Sequence, residues 1–187
     1  GVGLDQMSHV AWIFEGGGYD LYRKLYSDVL KVNVEPLFIQ PMGPDPLGWF
    51  KSPINSTADF KKMKYRSPPG ITGEIFKEMG VAAVALPGGE IVPSAQRGVI
   101  DCAEWVTPAE DLKLGLPQIY KYYYTPGMHE NTTVGELLFN GDVWKALTPQ
   151  HQEIIKSAAN EAYLIWWAKW QRQNADAQFA QNDGVDD

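Results

Sequence analysis

The chain has 187 residues, 44% hydrophobic and 21% charged, proportions of a folded globular chain and far from those of disordered segments. Sixteen basic residues stand against twenty-three acidic ones, a net charge of -7 with no Lys/Arg stripe, which argues against nucleic acid as a partner. The most apolar window, Tyr163 to Trp167, is bounded by Glu161 and Lys169 and falls far short of the roughly 20 apolar residues of a membrane span.

In chain order, Tyr19, Tyr22, Tyr26, Val29 and Leu30 recur at helical spacing behind Gly16-Gly17-Gly18 and predict a helix over 19–30. Val32 to Gln40 reads as a strand. Pro41, Gly43, Pro44 and Pro46 form a breaker loop, and Trp49 and Phe50 a short extended segment beyond it, where the chain is expected to cross between lobes. Asn55, Ser56 and Thr57 offer caps for a short helix through Met63; Lys64 to Arg66 is extended because Pro68 and Pro69 follow. A helix over 71–79 closes at Gly80. Val81 to Leu86, the Gly88-Gly89 turn, a helix over 90–97 and the strand Val99 to Ala103 make a βαβ unit, hence a parallel α/β sheet. Single Cys102 lies in that last strand, excludes an intrachain disulfide and reads as packing.

Ile119 to Tyr124 and Val134 to Asn140 read as further strands. Thr148 as N-cap and Pro149 at the first helical position open a long helix that keeps its apolar rhythm to about residue 180. At 1.5 Å per residue it extends on the order of 45 Å, enough to brace two lobes or a second subunit. Asn182 to Asp187 are polar and expected to fray. From Gly1 onward neither a basic n-region nor an apolar h-region of a signal peptide is visible, so the chain is expected to be processed or a piece of something longer.

The sequence has no GxGxxG, Walker, GxSxG or HExxH motif, and His9, His129 and His151 are scattered, which leaves nucleophilic and zinc chemistry without a foothold. What remains is a set of acids on loops and strand ends: Asp45 in the breaker loop, Glu104 beside Trp105 at the carboxyl end of the strand Val99 to Ala103, and Glu130 after the Pro126-Gly127 turn. Such acids are ordinarily solvated surface charge. If they converge, their repulsion calls for a cation, and oxygen-only ligands select a hard one such as Ca²⁺ or Na⁺. Arg66 ends an extended segment and offers a planar fork that suits a carboxylate, though a surface arginine would read the same.

Gly48-Trp49-Phe50, Phe60 to Arg66, Leu86-Pro87-Gly88-Gly89-Glu90-Ile91, Arg97 to Asp101 and Glu104-Trp105-Val106 together resemble the solute receptors of TRAP transporters, and are most similar to the branch that binds 2-oxoacids or lactate. Tyr122-Tyr123-Tyr124 with Pro126-Gly127, and Leu138-Phe139-Asn140 with Trp144, continue the likeness. The resemblance implies an α/β, periplasmic-binding-protein-like architecture of two lobes with a long C-terminal helix: one complete lobe over 48–130, and part of the other over 1–47 and 131–187. It implies a periplasmic, non-enzymatic receptor that takes a small organic acid such as pyruvate or lactate together with a cation, passes it to TRAP membrane subunits, and can dimerise through the long helix. Arg66 and Trp105 would then meet the acid. Asp45, Glu104, Trp105 by its main-chain carbonyl, and Glu130 would hold the cation, Ca²⁺ or alternatively Na⁺, with no organic cofactor. Where that branch usually has glutamine, this chain has Asp45, whose extra charge favours Ca²⁺. Family members are longer, so the resemblance also implies a fragment that lacks the amino-terminal part. Two other classes are compatible with the residues alone: a metal-dependent enzyme with Glu104 or Asp101 as general base on a 2-oxo or hydroxy acid, and an interaction module built on the Trp-rich helix.

Overall fold

The computed structural model describes residues 3–182. Helices α1 (Gln6–Phe14) and α2 (Gly18–Lys24) precede β1 (Val34–Met42). Next come β2 (Gly48–Phe50), α3 (Thr57–Lys61), β3 (Lys64–Ser67), α4 (Ile71–Glu78), β4 (Ala82–Ala85), α5 (Ile91–Gln96), β5 (Cys102–Ala103), α6 (Pro108–Leu114) and β6 (Tyr122–Tyr124). The order ends with β7 (Thr133–Asn140), α7 (Gly141–Ala146) and α8 (Pro149–Asn182). The chain divides into two compact units. Among the described residues, one holds 3–43 and Asn131–Gln173; the other holds Pro44–Glu130 and 174–182.

In the first unit β1 and β7 pair antiparallel, with a bulge between Phe38 and Gln40. Ile13, Phe38 and Tyr163 form one buried cluster, Leu37, Trp144 and Ala159 another. Helix α1, which the periodicity did not announce, is capped by the Asp5 carboxylate accepting from Ser8 N at 2.9 Å. The expected helix over 19–30 is present, but its last six residues, Leu25–Leu30, widen into a π-turn that stops at Lys31, whose φ is 53°. Thr148 caps α8 as expected, its hydroxyl accepting from His151 N at 3.2 Å, and the 34-residue helix runs unbroken past Trp170, which is buried. Of the tail expected to fray, the part after Asn182 lies outside the described residues. Among the described residues no helix is long and apolar enough to cross a membrane.

The second unit is built on a five-stranded sheet in the order β4-β3-β5-β2-β6. The expected parallel sheet is found only in part: β3 is parallel to β4 and β5, whereas β2 runs antiparallel to β5 and β6. Neighbours along a strand point to opposite faces, so Trp49 and Ala103 join one core cluster while Phe50 and Cys102 join the other. Two strands are shorter than the pattern suggests. Gly98, at φ 69°, closes α5, and Val99 N donates to Ser94 O at 2.9 Å, so the capping turn consumes the start of the strand expected from Val99. Likewise Tyr120 N donates to Leu116 O at 2.9 Å, which keeps the residues before Tyr122 in a turn rather than a strand.

Candidate functional site

Because β3 lies between two parallel neighbours, three strands end together at one edge of the sheet. Arg66 of β3 pairs in register with Ala103 of β5, so the next residue, Glu104, emerges beside it. Arg66 Nη1 donates to Glu104 Oε1 at 2.8 Å and to the Glu104 carbonyl at 2.9 Å. On its other side Nε and Nη2 donate to Leu86 O, just past β4, at 3.1 and 3.0 Å. Among the described residues, four of the five guanidinium N–H groups are thus engaged and one remains. The two-pronged edge expected of Arg66 is partly occupied by Glu104.

Trp105 covers this pair, with the Arg66 Cζ 5.6 Å from its ring centre. The ring rests on Gly88, where a Cβ would lie 2.2 Å from two ring carbons; the Gly-Gly turn leaves room for the indole. Trp105 N in turn donates to Asp111 Oδ1 of α6 at 3.0 Å.

Two loops bring the remaining acids. Asp45 N donates to Glu130 O, and Gly127 N to Asp45 O, both at 3.0 Å. A Cβ at Gly127 would lie 2.3 Å from that Asp45 oxygen, so only glycine permits so close a strap. Strapped in this way, Asp45 is 4% exposed, and His129, set T-shaped on Phe76 at 5.5 Å, stands opposite. One ligand atom each from Asp45, Glu104 and His129 lie within 4.8 Å of one another. The Glu130 carboxylate accepts from Thr72 Oγ1 at 3.2 Å.

The electrostatics are those of an acid cluster short of positive charge. Burial, aided by the Glu104 and Glu130 charges, pushes Asp45 up to about 10. Burial pushes Glu104 up to about 8 against the downward pull of Arg66, with Asp111 and Glu130 adding to the rise. Burial lifts Asp111 to about 7, against the amides of Trp105 and Val106 that stabilise its anion. His129 is lowered by burial, which keeps it neutral, the form that ligates metals. Asp45 Oδ1, Glu104 Oε2, Asp111 Oδ2 and both His129 nitrogens are buried without a hydrogen-bond partner among the described residues. Such groups are costly unless something satisfies them, and a cation facing Asp45 and Glu104 would do so. The donor set therefore fits a bound cation.

Of the residues singled out in the sequence, Asp45 and Glu104 converge, Arg66 and Trp105 flank them, and Glu130 joins through its carbonyl to Asp45 and its charge. Asp101 does not belong here: Lys51 Nζ and Lys64 N bind its carboxylate, and although burial raises its pKa, those two partners bring it below the ordinary aspartate value. His129 and Asp111 were missed. Asp111 had a signal, the Thr107-Pro108 helix start that places it on the first turn after Trp105; the scatter of histidines along the sequence hid His129.

The family model of bacterial extracellular solute-binding protein, family 7, matches residues 3–185. A monocarboxylate 2-oxoacid-binding periplasmic protein of Nostoc sp. is 37% identical over 175 residues, 94% of this chain and 47% of that protein. A TRAP transporter solute binding protein from Bordetella bronchiseptica RB50, a mixed-occupancy dimer with copurified calcium and picolinate in its bound site, has a TM-score of 0.88 at 34% identity, covering 97% of this chain and 53% of that one. Another TRAP periplasmic solute binding protein, from Pseudoalteromonas atlantica with bound sodium and pyruvate, has a TM-score of 0.87 at 28% identity, covering 98% and 54%. The chain spans about half the length of these relatives. It belongs to bacterial extracellular solute-binding protein family 7.

Proposed function

We propose, from that membership, that the full-length protein is the periplasmic solute receptor of a TRAP transporter: not an enzyme, it captures a small organic acid with a cation and passes it to the membrane subunits. The observation that carries this reading is the approach of the Asp45 and Glu104 carboxylates to within 4.8 Å, each keeping one buried oxygen without a partner among the described residues, beside the Arg66 guanidinium. A cation held by Asp45 and Glu104, with Glu130 and the Trp105 carbonyl completing its shell, would satisfy those oxygens. An acid bound next to it gains from the ion's charge, from the remaining Arg66 N–H and from the Trp105 ring. Acids of the 2-oxo and 2-hydroxy class, such as pyruvate and lactate, suit such a site because their carboxylate and 2-oxygen can grip one cation together.

Asp45 bears on the ion. Against two carboxylates a divalent ion gains about twice the Coulomb attraction of a monovalent one, which favours Ca²⁺ over Na⁺. The lobes over 1–47 with 131–187 and over 48–130, and dimerisation through α8, belong to the same proposal. Calorimetry on the full-length protein tests it: pyruvate or lactate binds in the presence of Ca²⁺ and loses its affinity after chelation. Acid binding indifferent to every cation would refute the reading.

A further inference from the structure

His129 carries an assignment that charge alone does not. The loop that delivers it is pinned at both sides, by Gly127 N to Asp45 O and by Asp45 N to Glu130 O, and the ring is backed by Phe76. Both of its nitrogens are buried and neither has a hydrogen-bond partner among the described residues. A ring nitrogen lies within 4.8 Å of carboxylate oxygens of Asp45 and Glu104, two residues that are themselves 4% and 1% exposed and each keep one donorless oxygen. Three residues from three separate segments, each with a buried polar atom that has no partner among the described residues, thus bring ligand atoms within 4.8 Å of one another.

We infer that His129 is a further ligand of the cation site, so that an imidazole joins the carboxylates around the ion and the site ranks Mn²⁺ above Ca²⁺. This rests on the reading that Asp45 and Glu104 hold a cation, and goes beyond it in the ion's chemical class. Ca²⁺ is a hard ion that takes oxygen ligands in flexible shells of six to eight, so a nitrogen at this position contributes little to it. Mn²⁺ accepts carboxylate oxygen and imidazole nitrogen alike in a smaller shell, and the Irving–Williams order places it at the weak end of the first-row divalent ions, which makes it a stringent probe. Na⁺ is disfavoured twice, by its single charge and by the nitrogen.

The test uses the full-length protein freed of metal by a chelator and titrated with MnCl2, CaCl2 and NaCl alone, without organic acid. Calorimetry is expected to show Mn²⁺ bound at least about 10-fold more tightly than Ca²⁺. Electron spin echo envelope modulation of the Mn²⁺ form is expected to show the nitrogen coupling of a directly bound imidazole. That measurement needs no variant and stands whether or not the substituted proteins fold. In His129→Gln the coupling disappears and Mn²⁺ weakens on the order of 100-fold, whereas Ca²⁺ changes by less than about threefold because the amide supplies an oxygen. Mn²⁺ bound without nitrogen coupling, or no more tightly than Ca²⁺, overturns the role of His129 and leaves the cation site at Asp45 and Glu104 standing. Failure of all three ions to bind overturns both.

Discussion

Arg66 and Glu104 meet as a buried hydrogen-bonded pair, Nη1 to Oε1 at 2.8 Å with both side chains 2% exposed, because the register of β3 and β5 sets Glu104 one residue beyond the partner of Arg66. Neither charge has water to fall back on. Above about pH 8, where Glu104 is ionised, Arg66→Met leaves it among Asp45, Asp111 and Glu130 without its counter-charge, and breaking a buried pair from one side is expected to cost about 3 to 5 kcal/mol. Adding Glu104→Gln to that variant recovers part of the loss. Urea unfolding measures both, and a cost under about 1 kcal/mol for Arg66→Met would show that the pair is not structural.

The acids at the site set a pH dependence. Asp45, Glu104 and Asp111 are raised to about 10, 8 and 7, above reference values of 3.8, 4.5 and 3.8, so the folded protein keeps protons that the unfolded chain releases. Their contribution to stability is complete below about pH 4 and is lost as pH rises through those folded values. Asp101, lowered below 3.8, acts at more acid pH, outside this window. With the metal chelated, the thermal midpoint is expected to fall between about pH 5 and pH 9. Ca²⁺ favours the ionised forms, so it stabilises more at about pH 8 than at about pH 5 and releases protons as it binds. Scanning calorimetry with chelator or CaCl2 reads both effects; an equal Ca²⁺ shift at the two pH values would contradict them.

Asp45→Asn separates stability from binding. It removes the most strongly raised of the three acids and is expected to stabilise the chelated protein at alkaline pH. The same change takes one anionic ligand from the cation and should weaken Ca²⁺ by about 10-fold or more. The two measurements must move in opposite directions. A variant with unchanged Ca²⁺ affinity would remove Asp45 from the ion's shell.

Gly88 and Gly89 are neighbours with different constraints. A Cβ at Gly88 would lie 2.2 Å from Trp105 ring carbons, whereas one at Gly89 meets nothing within 4 Å. Gly88→Ala is expected to displace the indole from Arg66, at a cost of about 1 to 3 kcal/mol and with a change in tryptophan fluorescence; Gly89→Ala is close to neutral. Equal effects at the two positions would mean that the indole does not depend on the turn.

The readable parts of the fold share a local cause. The Thr148-Pro149 start of α8 and the Ser56 cap of α3, whose hydroxyl accepts from Asp59 N at 3.2 Å, each depend on contacts within a few residues, which sequence pattern encodes directly. The shortened strands before Cys102 and Tyr122 have an equally local reason, since the turns closed by Val99 N to Ser94 O and by Tyr120 N to Leu116 O hold residues that an apolar run alone would place in a strand.

By itself, then, the sequence determined many of the helices and strands, though not α1, α6, α7 or where β5 and β6 begin, together with the glycines at tight turns and the placement of Asp45, Glu104 and Glu130 on loops or strand ends. Only the tertiary structure decided that Asp45, Glu104 and His129 converge, that four of the Arg66 donors are already used, and that Asp111 holds the Trp105 backbone. The reason is sequence distance. Asp45 and His129 stand 84 positions apart, and what joins them is the pair of backbone hydrogen bonds strapping two loops, together with a strand order in which β4 and β5 flank β3. Local preference acts over a few residues, whereas the burial that raises these carboxylates and leaves their oxygens without donors exists only once the sheet and both loops have closed around them.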